Sequence, residues 1–288
     1  VPVIVVGNIS FGGTGNTPVV IALLDQLRGM GFSPGVVSRG YGGRPEQLPL
    51  LVETTTQAPE CGDEPLLIHT RTGCPVVVDP DRPNAIRHLL SHTEINIVVS
   101  DDGLQHYQMY RDLELAIVDG IRGLGNGRCL PAGPLREPPE RLQTVDAVLV
   151  NGGDPSAKDA PGARFDLQPA MFVNVATGER CDVRRFAAEV ADGLSVHAIA
   201  GIGNPSRFFN TLSELGIFAE GTAFPDHYQY RLEDIQFVGS ELILMTEKDA
   251  VKCRGFADKR CWYLAVDARL PSEFLKLLEE KLPQPSKR

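Results

Sequence analysis

Short, unbroken runs rich in Val and Ile recur through the first half of this chain, and each stops on polar or glycine residues. They occupy residues 3–6, 35–38, 76–79, 95–100, 113–119 and 147–151. Apolar runs without polar alternation do not suit a strand with one face in water; they fit strands covered on both sides. Stretches with helical spacing separate several of them, at residues 18–30 and 84–91 among others. Doubly covered strands alternating with helices predict an α/β fold, a parallel sheet with helices on both faces. In such sheets ligands bind beyond the carboxyl ends of the strands. This chain concentrates polar residues at those ends: Asn8, Ser38 and Arg39, Asp101 and Asp102, and Asp119.

The 288 residues, 42% hydrophobic and 23% charged, supply core for one large or two ordinary domains. No apolar run reaches the ~18 residues of a bilayer span. A net charge of −9 provides no overall field for nucleic acid, and no such partner is expected. The six cysteines form no CxxC pair, which predicts reduced thiols rather than zinc ligands or a disulfide framework. With no heptad and no obvious apolar patch, a monomer is the expected state.

The texture changes between Asn151 and Arg164, where Gly152, Gly153, Pro155, Ser156, Pro161 and Gly162 read as a linker. Extended segments at 171–175 and 180–183 flank Thr177 and Gly178 and predict a hairpin. A second α/β series follows, with strands near 196–200, 218–223, 242–245 and 262–266 and helices at 206–215 and 272–282. The division expected is a core at 1–162, a two-stranded linker at 163–185 and a smaller C-terminal α/β domain at 186–288.

Residues 3–17 read VIVVGNISFGGTGNT, an apolar strand running into a glycine turn and then a helix. Gly12, Gly13 and Gly15 allow backbone conformations that point N–H groups inward, toward phosphate oxygens. Thr14, Asn16 and Thr17 complete the loop, and the helix that follows adds the positive end of its dipole. The Thr17 hydroxyl suits a Mg²⁺ ion, and Pro18 suits a first helical turn. The usual phosphate-loop pattern has a first glycine where Ser10 stands and a lysine where Asn16 stands. A bare glycine turn is the plain alternative; a dinucleotide fingerprint is disfavoured by Pro18. The run at 95–100 ends on Asp101 and Asp102, a carboxylate pair at a strand tip that can hold Mg²⁺ directly or through water. Adjacent side chains leave a strand in opposite directions, so Asp101 is taken to face the ion and Asp102 the turn. Asp63 stands at the start of a helix-like stretch, where it can serve as a cap, and Asp226 and His227 sit together in a loop.

The segments VGNISFGGTGNTP, VVSRGYGG, GDEP, DDGLQH, LPAGPLREP, FPDHY and MTEKDAVKC occur in this order over nearly the whole chain. Together they are similar to the lipid A 4′-kinase (tetraacyldisaccharide 4′-kinase) family in its gammaproteobacterial form. The resemblance implies a P-loop NTPase-like core and transfer of the γ-phosphate of ATP to the 4′-hydroxyl of a tetraacylated disaccharide 1-phosphate. It also implies Mg²⁺, and a membrane-associating helix preceding Val1 that holds the enzyme at the cytoplasmic face of the bacterial inner membrane. Position by position, Asp63 resembles the catalytic acid/base residue and His227 its partner. Thr17, Asp101 and Asp102 resemble metal-site residues, with Glu137 a further acid there. Gln105 and Arg82 resemble residues near the nucleotide, and Ser38, Arg39 and Tyr41 a loop beside the site. Asn16 departs from the family lysine, which implies slowed transfer or, as the alternative, a nucleotide-binding module without turnover. A compensating role for Lys248 or Lys252 is a minor expectation; helix-surface charge is the main one. A nicotinamide oxidoreductase is disfavoured by Pro18 and the paired aspartates.

Overall fold

A computed structural model of the chain describes residues 1–153, 162–191 and 193–283. Its first sheet has eight strands: β1 Val3–Gly7, β2 Pro34–Ser38, β3 Leu50–Leu51, β4 Val76–Val78, β5 Ile97–Ser100, β6 Leu113–Asp119, β7 Ala147–Asn151 and β8 Ala163–Phe165. Their spatial order is β3-β4-β2-β5-β1-β6-β7-β8, and only the short β3 runs antiparallel to its neighbour. Helices α1 Asn16–Gly29, α2 Ala58–Cys61, α3 Asp63–Thr72 and α4 Arg82–His92 belong to this half.

The two-sided covering expected from the apolar runs is visible along β1. Ile4 and Val6 enter a cluster with Leu23, Leu24 and Leu27 of α1. Val3 and Val5 enter the opposite cluster with Ala85 and Leu89 of α4. Successive side chains of a strand point to opposite faces, so a strand with helices on both sides has no position for a polar residue until its end.

The second sheet has six strands: β9 Leu167–Asn174, β10 Arg180–Cys181, β11 Val196–Ala200, β12 Glu220–Ala223, β13 Leu242–Thr246 and β14 Cys261–Ala268. Strands β11 to β14 run parallel in the order β14-β13-β11-β12, and β9 and β10 extend the sheet antiparallel. Helices α5 Val183–Ala191, α6 Pro205–Glu214, α7 Glu247–Cys253 and α8 Ser272–Lys281 complete it. Asp166 alone separates β8 from β9, so the chain passes from one sheet to the other through nearly continuous extended backbone. The return path is α8, whose Phe274 and Leu278 enter the α1 cluster of the first half.

Several sequence expectations shift in detail. The hairpin pairs Arg180 with Val173 and Cys181 with Phe172, but Val183 already begins α5 rather than continuing the strand. Phe186 and Val190 on one face of α5 pack on β9, and this tertiary contact overrides the extended reading. Pro155, Ser156 and Pro161 of the expected linker lie outside the described residues. Phe172 is fully buried and stacks on Phe186 with ring centroids 4.0 Å apart. Phe172→Ala is expected to lower stability by about 3–5 kcal/mol, read as a shift of the urea unfolding transition.

Candidate active site

The glycine loop leaves β1 and enters α1 at the carboxyl edge of the first sheet. Gly12 and Gly15 take φ of 91° and 100°, the left-handed region that side chains resist. A side chain at Gly15 would also collide with Asn151 Nδ2, 2.6 Å from an added Cβ. Thr14 organises the interior: its hydroxyl accepts from Asn8 Nδ2 at 3.1 Å and donates to Asn16 Oδ1 at 2.8 Å. Asn151 Nδ2, at the end of β7, donates to the Thr14 carbonyl at 2.9 Å. Asn16 therefore turns its amide oxygen back into the loop. Thr17 is buried at the first turn of α1.

Strand β5 lies beside β1, with Ser100 opposite Val5, so Asp101 follows directly at the neighbouring strand tip. Asp101 is 1% exposed; Ser38 donates to its Oδ2 at 3.3 Å, while its buried Oδ1 takes no hydrogen bond. Burial, with Glu64 and Asp102 nearby, pushes the Asp101 carboxyl well above the usual carboxylate range. A buried carboxylate oxygen without a donor at the edge of a phosphate-type loop fits a divalent cation. Thr17, buried at the first turn of α1, is the hydroxyl expected beside it.

Asp102 and Glu137, also expected around the metal, are committed elsewhere. Asp102, at φ 46°, accepts from Arg136 Nη1 with both oxygens at 2.9 Å. Glu137 accepts from Gln105 Nε2 at 2.6 Å and from the Tyr107 hydroxyl, and Arg141 lies 3.4 Å away. Gln105 Nε2 also donates to the Asn8 carbonyl at 3.0 Å, so this network braces the loop from behind. Arg82 differs from its expected place near phosphate. It is fully buried, with Nη1 donating to the Asp79 carbonyl at 2.8 Å and Nη2 to that of Asp101 at 3.4 Å. Its two hydrogen bonds to carbonyls support the strand tip, while its buried Nε has no hydrogen-bond partner.

The second sheet supplies the other half of the site. Asp63, 4% exposed, is the first residue of α3, after Gly62 rather than as the cap itself. His227, 164 residues away in the chain, places Nδ1 3.2 and 3.1 Å from the two Asp63 oxygens. It adopts φ 58°, and Tyr41 packs against its ring, edge to face, with centroids 4.8 Å apart. Burial alone would raise the Asp63 carboxyl; the His227 hydrogen bond and the charges of Lys248, His227 and Lys252 outweigh it and hold the group low. Burial opposes the His227 cation, but the Asp63 hydrogen bond raises its pKa above the ordinary imidazole value.

Lys248 and Lys252 are not surface charges. Both project from α7 toward Asp63, each Nζ 3.9 Å from Oδ2. Lys248 pairs with Glu64 at 3.0 Å and Lys252 with Asp249 at 2.8 Å. They are four apart, which places them on one helix face, but only the packing of α7 on α3 reveals what that face meets. Neither contacts the phosphate loop, so the compensation for Asn16 expected as a minor case finds no geometric support. Residues that the sequence reading passed over also meet here. Arg122 and Arg136 reach the loop and its brace, and Arg207 of α6 donates to Asn151 Oδ1 at 2.8 Å. Gly203 lies so close to the Gly13 amide that an added Cβ would stand 2.8 Å from it.

A parallel sheet that delivers a glycine loop and a buried acid to one edge, with an acid–histidine pair closed by a second sheet, has the layout of a P-loop-type phosphotransferase. Known proteins narrow that class. The family described as tetraacyldisaccharide-1-P 4'-kinase (LpxK) matches residues 1–283, and this chain belongs to that family. It is 56% identical over 272 residues to the tetraacyldisaccharide 4'-kinase of Pseudomonas fluorescens (strain SBW25), covering 94% of this chain and 79% of that one. Against the enzyme of the same name from Azotobacter vinelandii, identity is 55% over 269 residues, with 93% and 79% covered. Among solved structures, LpxK from Aquifex aeolicus in complex with ATP superposes with a TM-score of 0.78 at 28% identity, covering 97% of this chain and 88% of that one. Among the described residues, no helix is long and apolar enough to cross a membrane.

Proposed function

We infer that this chain is a tetraacyldisaccharide 4′-kinase of lipid A synthesis, which moves the γ-phosphate of ATP to the 4′-hydroxyl of a tetraacyldisaccharide 1-phosphate. The observation that carries the reading is the Asp63–His227 contact, at 3.1 Å, made across two sheets beside a phosphate-type loop in a member of this family.

The glycine loop at 12–15 and the N-terminus of α1 bind the triphosphate through backbone amides. Thr17 and Asp101 are the residues that would hold Mg²⁺, which when bound neutralises phosphate charge. Asp102 and Glu137 keep the loop in place through Arg136 and Gln105 instead of binding the ion. The acceptor hydroxyl has a pKa far above neutral, so a base must take its proton as the new O–P bond forms and the β–γ bridging P–O bond breaks. Asp63 is that base, and it is held ionised. His227 orients it, and the Lys248 and Lys252 cations stabilise its charge. The core at 1–162 carries the loop, the two-stranded linker at 163–185, whose last residues already turn into α5, joins the sheets, and the domain at 186–288 brings His227. We place the enzyme on the cytoplasmic face of the inner membrane, where its acylated substrate lies.

Transfer of labelled γ-phosphate from ATP to the tetraacyldisaccharide 1-phosphate tests the reading: label on the 4′-oxygen is expected, and its absence at any enzyme concentration would overturn it. Asn16, uncharged and bonded to Thr14, favours one second reading, nucleotide binding without turnover. Thermal unfolding separates the two. ATP should raise the midpoint more with Mg²⁺ than without it under either reading, whereas only the kinase labels the acceptor.

A further inference from the structure

A triphosphate carries several negative charges, and the loop that would cradle it has asparagine where a cation is usual. Most nearby cations are already turned to other partners. Arg82 is buried against carbonyls, Arg136 is bound to Asp102, Arg207 to Asn151, and Lys248 and Lys252 face the carboxylates around Asp63.

Arg122 is different. It follows β6, whose end is adjacent to the phosphate loop because β6 pairs directly with β1, on the side opposite β5. Asp119, 5% exposed at its side chain, fixes the turn by accepting from the backbone N–H groups of Ile121 at 2.9 Å and Arg122 at 3.1 Å. Its other oxygen accepts from Arg122 Nε at 3.0 Å, which sets the plane of the guanidinium. Arg122 Nη2 donates to the Gly13 carbonyl, and Nη1 rests on Gly12, 2.8 Å from where a Cβ would be. Glycine at position 12 leaves the space that the guanidinium occupies. The Arg122 side chain remains 38% exposed, so this cation is held on the loop with part of its surface toward solvent. Two of its five N–H donors are committed to Asp119 and Gly13, which leaves others for an incoming anion.

We propose that Arg122 binds the triphosphate of the nucleotide and supplies at the loop the positive charge that Asn16 does not. This rests on the nucleotide reading of the loop given above. An arginine held by a buried carboxylate is pre-oriented, so it loses little freedom on meeting phosphate.

The test is ATP and AMP binding by titration calorimetry with the whole chain, in the presence of Mg²⁺, for the unsubstituted protein, Arg122→Ala, Arg122→Lys, Asn16→Lys and Asn16→Lys/Arg122→Ala. Arg122→Ala should weaken ATP about ten- to hundredfold, in keeping with loss of a charge-assisted contact, and AMP far less. Arg122→Lys should recover most of the ATP affinity. In the Asn16→Lys background, loss of Arg122 should weaken ATP by no more than about threefold, because a second cation then serves the same charge. Equal weakening of ATP and AMP would mean that Arg122 only shapes the loop, and would overturn the proposal. A full loss that persists in the Asn16→Lys background, or no recovery by lysine, would overturn it too. If the unsubstituted protein binds no ATP, the nucleotide reading itself falls, a result distinct from ATP binding that is indifferent to Arg122.

Discussion

Asp63→Asn should reduce phosphoryl transfer by about 10²–10⁴-fold, the range of a lost general base, with ATP affinity almost unchanged. Asparagine keeps the shape and one hydrogen-bond acceptor for His227 but cannot take the acceptor proton. The binding prediction follows from position: Asp63 contacts His227, Lys248 and Lys252, and no hydrogen bond links it to the phosphate loop. His227→Ala should lower transfer less and change its pH dependence. Burial favours the neutral form of Asp63, and the His227 hydrogen bond is the leading influence against it. Removing that bond raises the pH below which Asp63 is protonated, so the acid limb of the rate profile should move upward in pH. Single-turnover transfer across pH, paired with calorimetric ATP binding, measures both quantities. Near-normal turnover in Asp63→Asn would remove Asp63 as the base.

Asn16→Lys should speed transfer by about 10²–10³-fold, the usual worth of one transition-state contact on developing charge. In the present loop the Asn16 oxygen accepts from Thr14, which closes a chain of hydrogen bonds from Asn8 through Thr14 to position 16. Lysine would give up that acceptor but add a mobile cation next to the phosphates, and Thr14 would keep its bond to Asn8. The gain should appear in kcat more than in KM, since charge moves between the phosphates in the transition state and the ground-state triphosphate is already held by backbone amides and, on the proposal above, by Arg122. No gain in kcat would mean that the loop compensates fully by other cations or that transfer is limited by another step. A comparison of single-turnover and steady-state rates tells these apart.

Much of this fold was legible in the chain because doubly buried strands carry an unmistakable pattern. The runs at 3–6, 35–38 and 113–119 became strands of the first sheet almost unshifted, and the glycine loop met the start of α1 as expected. Helix α5 was not read, and α7 entered only through the expectation of helix-surface charge at Lys248 and Lys252. Residues 183–191 contain apolar positions whose meaning depends on the face of β9 below them, and the seven residues of α7 are too few for periodicity to speak. The site divided in the same way. The positions of the glycine loop and of Asp101 at strand ends were legible, whereas the burial of Arg82 under the Asp101 backbone was not.

Local pattern alone therefore settled which segments are strands, where the glycine loop falls and which acids stand at strand tips. These properties depend on residues next to one another in the chain. Folding decided which charges meet: Asp63 with His227 and the α7 lysines, Asp102 with Arg136, and Arg122 with the loop at Gly13. Coulombic and hydrogen-bond partners act within a few ångströms of space however far apart they lie along the chain, so only the tertiary fold, within the first sheet and across to the second, could determine which polar groups meet.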